Sequence, residues 1–204
     1  IENYNNWNFE NTVNYSLKFD ESEVNLLGGM SMQKYNYTKV ANSGTGFSVQ
    51  QTSYDFAAAK NQSIENRENE VKSLSYFGRL TYALQNKYIL NGVFRQSGAS
   101  QLAAGNKWGF FPAVSAAWIV SNEDFLKDVS AISELNLRGG WGYSGNLSGL
   151  PAYSSFDLNY TNPLTNATTL DQIGNSDLKW ETTTDVNLGL DLALGVGGYP
   201  RGRV

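Results

Sequence analysis

The sequence predicts an all-β fold: a partial transmembrane antiparallel up-and-down β-barrel of about seven long strands. Two observations carry the prediction. The first is residues 178–194, where every even position is apolar or threonine: Leu178, Trp180, Thr182, Thr184, Val186, Leu188, Leu190, Leu192 and Leu194. The odd positions between them are mostly polar or small, so the stretch reads as a strand with one apolar and one wet face. It outruns the usual soluble strand of about 5–6 residues and suits a tilted bilayer crossing of roughly 9–11. The second is the rhythm of the connections, which run short, long, short, medium, medium, long down the chain. Barrels of this kind place short turns on one side of the membrane and long loops on the other. No run approaches the roughly 18 apolar residues of a membrane helix. A mean hydropathy of −0.39 is what alternating strands average to.

In order, the first strand places Trp7, Phe9, Val13, Tyr15, Leu17 and Phe19 on one face, broken only by Asn11. Rings at its ends and aliphatics between them match the two interfacial girdles of a barrel. Asp20-Glu21-Ser22 turns the chain, and Val24, Leu26, Gly28, Met30 and Met32 return it. From Lys39 to Glu70 the pattern dissolves into Asn, Ser, Gly, Gln and Glu, predicting a long polar loop. Alternation resumes at Leu74, Tyr76, Gly78, Leu80, Tyr82 and Leu84, turns at Gln85-Asn86-Lys87, and returns through Tyr88, Leu90, Gly92 and Phe94. A medium loop from Gln96 to Lys107 precedes a strand from Phe110 to Val120. Asn122–Asp128 reads as a single helical turn with Phe125 beside Val129. Leu135, Leu137, Gly139, Trp141 and Tyr143 make the next strand, and Gly145–Asp177 is a second long loop before 178–194. No fixed-period repeat is present, which weighs against propellers and solenoids.

Composition removes whole classes of function. The net charge of −4 lacks the basic excess that nucleic acid demands. Cysteine and histidine are both absent, which takes away disulfides, thiolate metal sites, Ser-His triads and the commonest metal ligand. Neither a cofactor nor an enzymatic reaction is expected. No basic segment with an apolar core opens the chain, so an export signal is expected outside this sequence.

Four stretches occur in order: SYFGRLTYALQNKYILNGVFRQSGAS (75–100), NKWGFFPAVSAAWIVSNEDFLKD (106–128), LNLRGGWGYSGN (135–146) and NSDLKWETTTDVNLGLDL (175–192). Together they closely resemble the SusC/RagA branch of the TonB-dependent outer-membrane transporters. The motif positions are Arg95, Gly98, Ser100, Trp108, Gly109, Phe111, Pro112, Trp118, Asp124, Phe125, Leu126, Gly145, Asn146, Leu178, Trp180 and Glu181. The resemblance implies a wall segment, residues 1–194, of a plugged barrel in the outer membrane of a Gram-negative bacterium. It implies import of a glycan or peptide with no chemistry on the cargo. The implied partners are a SusD-like surface lipoprotein, outer-membrane lipid, and TonB acting through a plug that lies outside this sequence. The family usually has an aspartate ahead of the Gly-Ser-Ser stretch after the arginine, whereas here Arg95 precedes Gln96-Ser97-Gly98-Ala99-Ser100. Residues 195–204 lack a β-pattern and are expected to be an irregular tail from truncation. The competing reading is a soluble secreted β-sandwich, a carbohydrate-binding or glycosidase-type module, with short strands and a two-sheet core.

Several residue groups carry a functional and a plainer reading. Trp108-Gly109-Phe110-Phe111-Pro112 is a sugar-stacking cluster or an interfacial girdle, with Pro112 among a strand's first residues. Glu10, Lys18, Arg79, Arg95, Arg138, Lys179, Glu181 and Asp185 select cargo from the lumen, or simply pair and hydrate there. Tyr153, Phe156 and Tyr160 are the favoured cargo contacts, since loops carry binding. Glu123-Asp124 resembles a carboxylate pair but belongs to a connection. Glu65, Glu68 and Glu70 lack the spacing of a calcium loop and read as a hydrated loop. The N-x-[ST] triplets at Asn36, Asn61, Asn146, Asn159 and Asn166 carry no weight in so Asn-rich a chain.

Overall fold

The computed structural model describes residues 1–48, 55–127, 129, 131–161 and 168–195. One sheet contains β1 (Glu2–Phe19), β2 (Ser22–Thr45), β3 (Asn61–Leu84), β4 (Tyr88–Ala99), β5 (Trp108–Ile119), β6 (Ile132–Asn146) and, after an inserted hairpin, β9 (Glu181–Leu194). The hairpin is β7 (Leu158–Thr161) with β8 (Thr168–Gln172). Each strand of the large sheet pairs antiparallel with its predecessor, giving the expected up-and-down order. β1 and β9 lie at the two edges, so the sheet is an unclosed arc of wall.

Register explains why the alternation was so regular. One ladder row runs Tyr15, Leu26, Leu80, Gly92, Val114, Trp141, Val186 across all seven strands. The next row on that face is Leu17, Val24, Tyr82, Leu90, Ala116, Gly139, Leu188. Between them, on the opposite face, lie Ser16, Asn25, Thr81, Asn91, Ser115, Gly140 and Asn187. A one-residue slip in any strand would bring polar side chains into the apolar rows, so the pattern pins every register. The apolar face has no second layer over it among the described residues: Leu188 is 89% exposed and Val13 74%. A sandwich would cover that face, so the soluble reading fails. Lipid is the medium these side chains require.

The aromatic edges set the height of the lipid band. Trp7, Tyr76 and Trp108 mark one edge, and Phe19, Tyr88 and Trp118 the other. The Trp108-to-Trp118 stretch of β5, at about 3.3 Å per residue and a tilt near 40°, spans ~25 Å, the usual apolar height of such barrels. Level with Trp7 the outer face already turns charged, where Lys34 and Lys72 of the same row both bind Glu70 one row above.

β2 and β3, each 24 residues long, continue well past that edge. The expected loop 39–70 is therefore corrected: most of it is a paired hairpin, and only 46–60 connects the strands. Glu65, Glu68 and Glu70 sit in β3 rather than a loop, held by Lys39 (2.9 Å), Asn36 (3.4 Å) and Lys34 (2.6 Å). β4 likewise runs on to Ala99, shortening the predicted 96–107 loop. The 122–128 turn proves to be two 3-10 turns, Val120–Asn122 and Asp124–Leu126. β9 begins at Glu181, so Leu178, Lys179 and Trp180 lead into it without pairing. Pro112 is not at a strand start: it lies inside β5 opposite Phe94, and the β5–β6 ladder begins just beyond it at Ala113. Proline has no N–H to offer that ladder. The 195–204 tail lies outside the described residues beyond Gly195.

Candidate functional site

The end of the sheet with short turns is tied together strand by strand. Asp20, Gln85 and Asn86 adopt positive φ to make those turns, which polar residues tolerate better than branched ones. The Gln85 N–H donates to the Glu21 carbonyl (2.6 Å), and the Asn122 side chain donates to the Asn86 carbonyl (2.8 Å). Glu123 is the hub. Its carboxylate accepts from the Tyr88 hydroxyl (2.6 Å), Lys87 Nζ (3.0 Å) and Trp118 Nε1 (3.0 Å). Those donors, the tyrosine first, hold its carboxyl down at about 2. Adjacent Asp124 points elsewhere and pairs with Lys127, so the two carboxylates form no acid–base pair. Phe125 is 67% exposed, and only Leu126 of the Asp124-Phe125-Leu126 motif is partly covered.

At the opposite end, motif residues far apart in sequence converge. Phe111 is buried on the inward face and meets Trp180 edge-on, with ring centroids 5.2 Å apart. A side chain at Gly145 or Gly109 would put its Cβ 2.2 or 2.4 Å from the Phe111 ring tip, so both glycines are required by this close approach. Trp180 Nε1 donates to the Lys107 carbonyl (2.9 Å), fastening the segment before β9 across β5. Asn146 holds Glu181 at the head of the β6–β9 ladder (3.1 Å), and Leu178 N–H closes a turn onto the Asn175 carbonyl. Ser100 finishes the β3–β4 ladder, its N–H donating to the Lys72 carbonyl and its Oγ accepting from the Lys72 N–H, both at 2.9 Å. The five-residue aromatic cluster splits by parity. Trp108 and Phe110 face outward, Trp108 over Gly98 and stacked with Tyr76 at 6.3 Å, while Gly109 and Phe111 face in. Only the first pair stands on the outer face, where a girdle would lie.

Of the three loop aromatics, Tyr153 and Phe156 are described in full. Gln172 draws together the backbones of Tyr153 (2.9 Å) and Phe156 (3.4 Å), but the Phe156 ring is 46% exposed. The Tyr160 side chain and Asn166 lie outside the described residues. This loop leans on its neighbour, where Gln101 donates to the Leu150 carbonyl beside fully buried Leu102.

The inward face carries polar networks. Arg95 donates to Ser97 (3.0 Å) and Ser75 (3.1 Å), whose hydroxyls meet at 2.9 Å. Arg138 pairs with Asp191 (3.2 Å) and Lys18 with Glu23 (3.4 Å). Two of the predicted lumenal charges thus pair with partners the sequence did not single out. One inward group escaped the sequence reading altogether. Tyr4 lies 4.9 Å from Tyr37 and 6.5 Å from Tyr35, ring centre to ring centre. Their spacing of two along β2 was the available signal. Among the described residues, no three His, Cys, Asp or Glu side chains gather as a metal site.

The chain can be set beside known proteins on this footing. It is 34% identical over 197 residues to TonB-dependent receptor P3 of Formosa agariphila, with 91% of the chain and 19% of that protein covered. It is 37% identical over 144 residues to TonB-dependent receptor SusC of Bacteroides thetaiotaomicron, covering 63% of the chain and 14% of that receptor. The chain thus spans a fifth or less of the length of these curated relatives. In fold it matches a chain of a solved RagAB peptide importer with a TM-score of 0.82 at 23% identity, covering 95% of this chain and 22% of that one. The family model described as TonB dependent receptor-like, beta-barrel matches residues 1–201. The open meander, its lipid-facing rows and the converging SusC/RagA motif residues are those of an outer-membrane wall, and the chain belongs to the TonB-dependent receptor β-barrel family.

Proposed function

We propose that this chain forms part of the wall and external rim of a TonB-dependent importer that takes a glycan or peptide across the outer membrane. The observation that supports this best is the two-faced register: apolar rows continuous across seven strands, backed by rows of Asn, Ser and Thr. A wall of this kind satisfies its backbone groups in lipid and leaves a wet interior for a plug and a passing solute. Cargo would be held between the external loops, the plug and a SusD-like lipoprotein, and TonB would act through the plug. A solved neighbour described as a peptide importer supports the peptide class, and the glycan class is what the SusC/RagA resemblance implies. The wall makes or breaks no bond.

Leu188→Arg in the full-length protein tests the reading. Leu188 stands mid-band on the outer face, where a charge costs about 2–4 kcal/mol. Heat-modifiable, folded protein in the outer-membrane fraction should fall sharply, and uptake with it. Unchanged abundance would remove the lipid-facing wall from consideration.

A further inference from the structure

We infer that the inward face of β1–β3, at and just above the outer edge of the lipid band, is a binding subsite for a neutral oligosaccharide. Three register tiers build it: Tyr4–Tyr37–Asn69, then Asn6–Tyr35–Val71, then Asn8–Gln33–Ser73. The lower two tiers line a hollow of about 400 Å³, and the tyrosine cluster forms its upper wall. Tyr4 is 63% and Tyr35 38% exposed among the described residues, each ring turned to the inward side.

The chemistry of the lining selects the ligand. Aromatic rings offer apolar, weakly negative faces that pack against the C–H face of a sugar ring. Asn and Gln side chains each present a donor and an acceptor, matching the paired donor–acceptor hydroxyls of a saccharide. Lys34 and Trp7 also border the hollow but belong to the outer face by register, Lys34 bound to Glu70, and the inward-facing lining side chains carry no fixed charge. Four nearby contacts engage charges: Lys39 with Glu65 (2.9 Å), Arg67 with Glu65 (3.6 Å), Lys34 with Glu70 (2.6 Å) on the outer face, and Glu2 with the Tyr4 hydroxyl (3.3 Å), while Glu10 stands one tier below the hollow opposite Ser31. A few directed polar groups beside apolar surface is the usual makeup of a small-molecule site. The lining therefore favours a neutral glycan over a peptide with charged termini. This inference rests on the transport reading and narrows its cargo class.

The test uses the full-length transporter in detergent. The probes are neutral gluco-, xylo- and manno-hexasaccharides and a neutral Ala/Ser hexapeptide. Saturation-transfer NMR with irradiation of aromatic protons reads ring contact, and titration gives Kd. At least one hexasaccharide should bind with transfer to its C–H protons. Tyr35→Leu and Tyr37→Leu should each weaken it about five- to tenfold, while Tyr35→Phe and Tyr37→Phe keep the ring face and bind nearly as wild type. If a leucine variant fails the heat-modifiability check, Tyr35→Thr, another strand former, substitutes for it. Saccharide binding that ignores all of these changes would overturn the subsite and leave the transporter reading standing. Binding of the hexapeptide alone would overturn the saccharide assignment. Failure of both probes to bind the wild type would overturn the subsite, and loss of uptake altogether in cells would sink the transport reading as well.

Discussion

The two ends of this sheet are built on opposite principles. At the periplasmic end, the connections 20–21 and 85–87 are tight, and the longer 120–131 segment folds back so that Glu123 binds Lys87, Tyr88 and Trp118 at once. At the outer end β2 and β3 run on as a ribbon, β5 and β6 part above Ala113, and Phe111, Trp180 and a long loop fill the gap. A rim fixed by short cross-ties holds the wall's register. A rim made of extensions can vary its shape without disturbing that register, and binding surfaces belong there.

The contrast can be broken at several points, beginning with the lipid band that both ends share. Leu188→Arg carries the largest expected effect, about 2–4 kcal/mol, because it strikes the shared apolar rows; its readout is folded protein recovered from the membrane. Next comes Gly145→Val, which drives a side chain into the Phe111 ring and should cost about 1–3 kcal/mol by overpacking. Urea unfolding in lipid vesicles measures it, and Phe111→Leu in the same chain should restore most of the loss. Failure of that rescue would mean Gly145 serves something other than the Phe111–Trp180 contact.

Glu123→Gln probes the tied rim and should act more gently. Because the folded protein holds this carboxyl near 2, below its ordinary value near 4.5, its contribution is fully present above about pH 4.5 and is lost as pH falls toward 2. Wild-type unfolding midpoints should therefore drop across that window, and those of the Gln variant should be lower at neutral pH and flatter over the same interval. Parallel curves would show that Glu123 is not the hub. The smallest effect belongs to the outer ribbon: a short Gly-Ser insertion after Phe47 should change stability by no more than about 0.5 kcal/mol. A large loss would make the connection 46–60 a structural tie like those at the other end.

The same contrast decides what the sequence could reveal. Strands were legible wherever lipid touched them, because only there must one face be apolar; Val24 to Met32 and Leu74 to Leu84 declare themselves for that reason. Above the band both faces of β2 and β3 are wet. The alternation rule then has nothing to act on, and Glu65, Glu68 and Glu70 looked like loop. The motif residues were visible individually. Their meeting was not, since Gly109, Phe111, Gly145 and Trp180 are joined only through the pairings of β5, β6 and β9, and no local pattern encodes a nonlocal pairing. The inward tyrosines went unseen because Tyr4 precedes Trp7, where the first alternation starts, and Tyr35 and Tyr37 follow Met32, where the second stops.

One feature of the outer face reaches beyond this chain. Gly92, Ala116 and Gly139 lie along neighbouring strands between the larger Tyr82, Leu90, Trp141 and Leu188, so the wall is dented where most of the band bulges. An acyl chain resting in that dent touches protein on three sides, and one lying elsewhere touches it on one. The surrounding membrane is therefore not a uniform solvent to this protein: the wall imprints a texture on its first layer of lipid, with chains that linger beside chains that slide past.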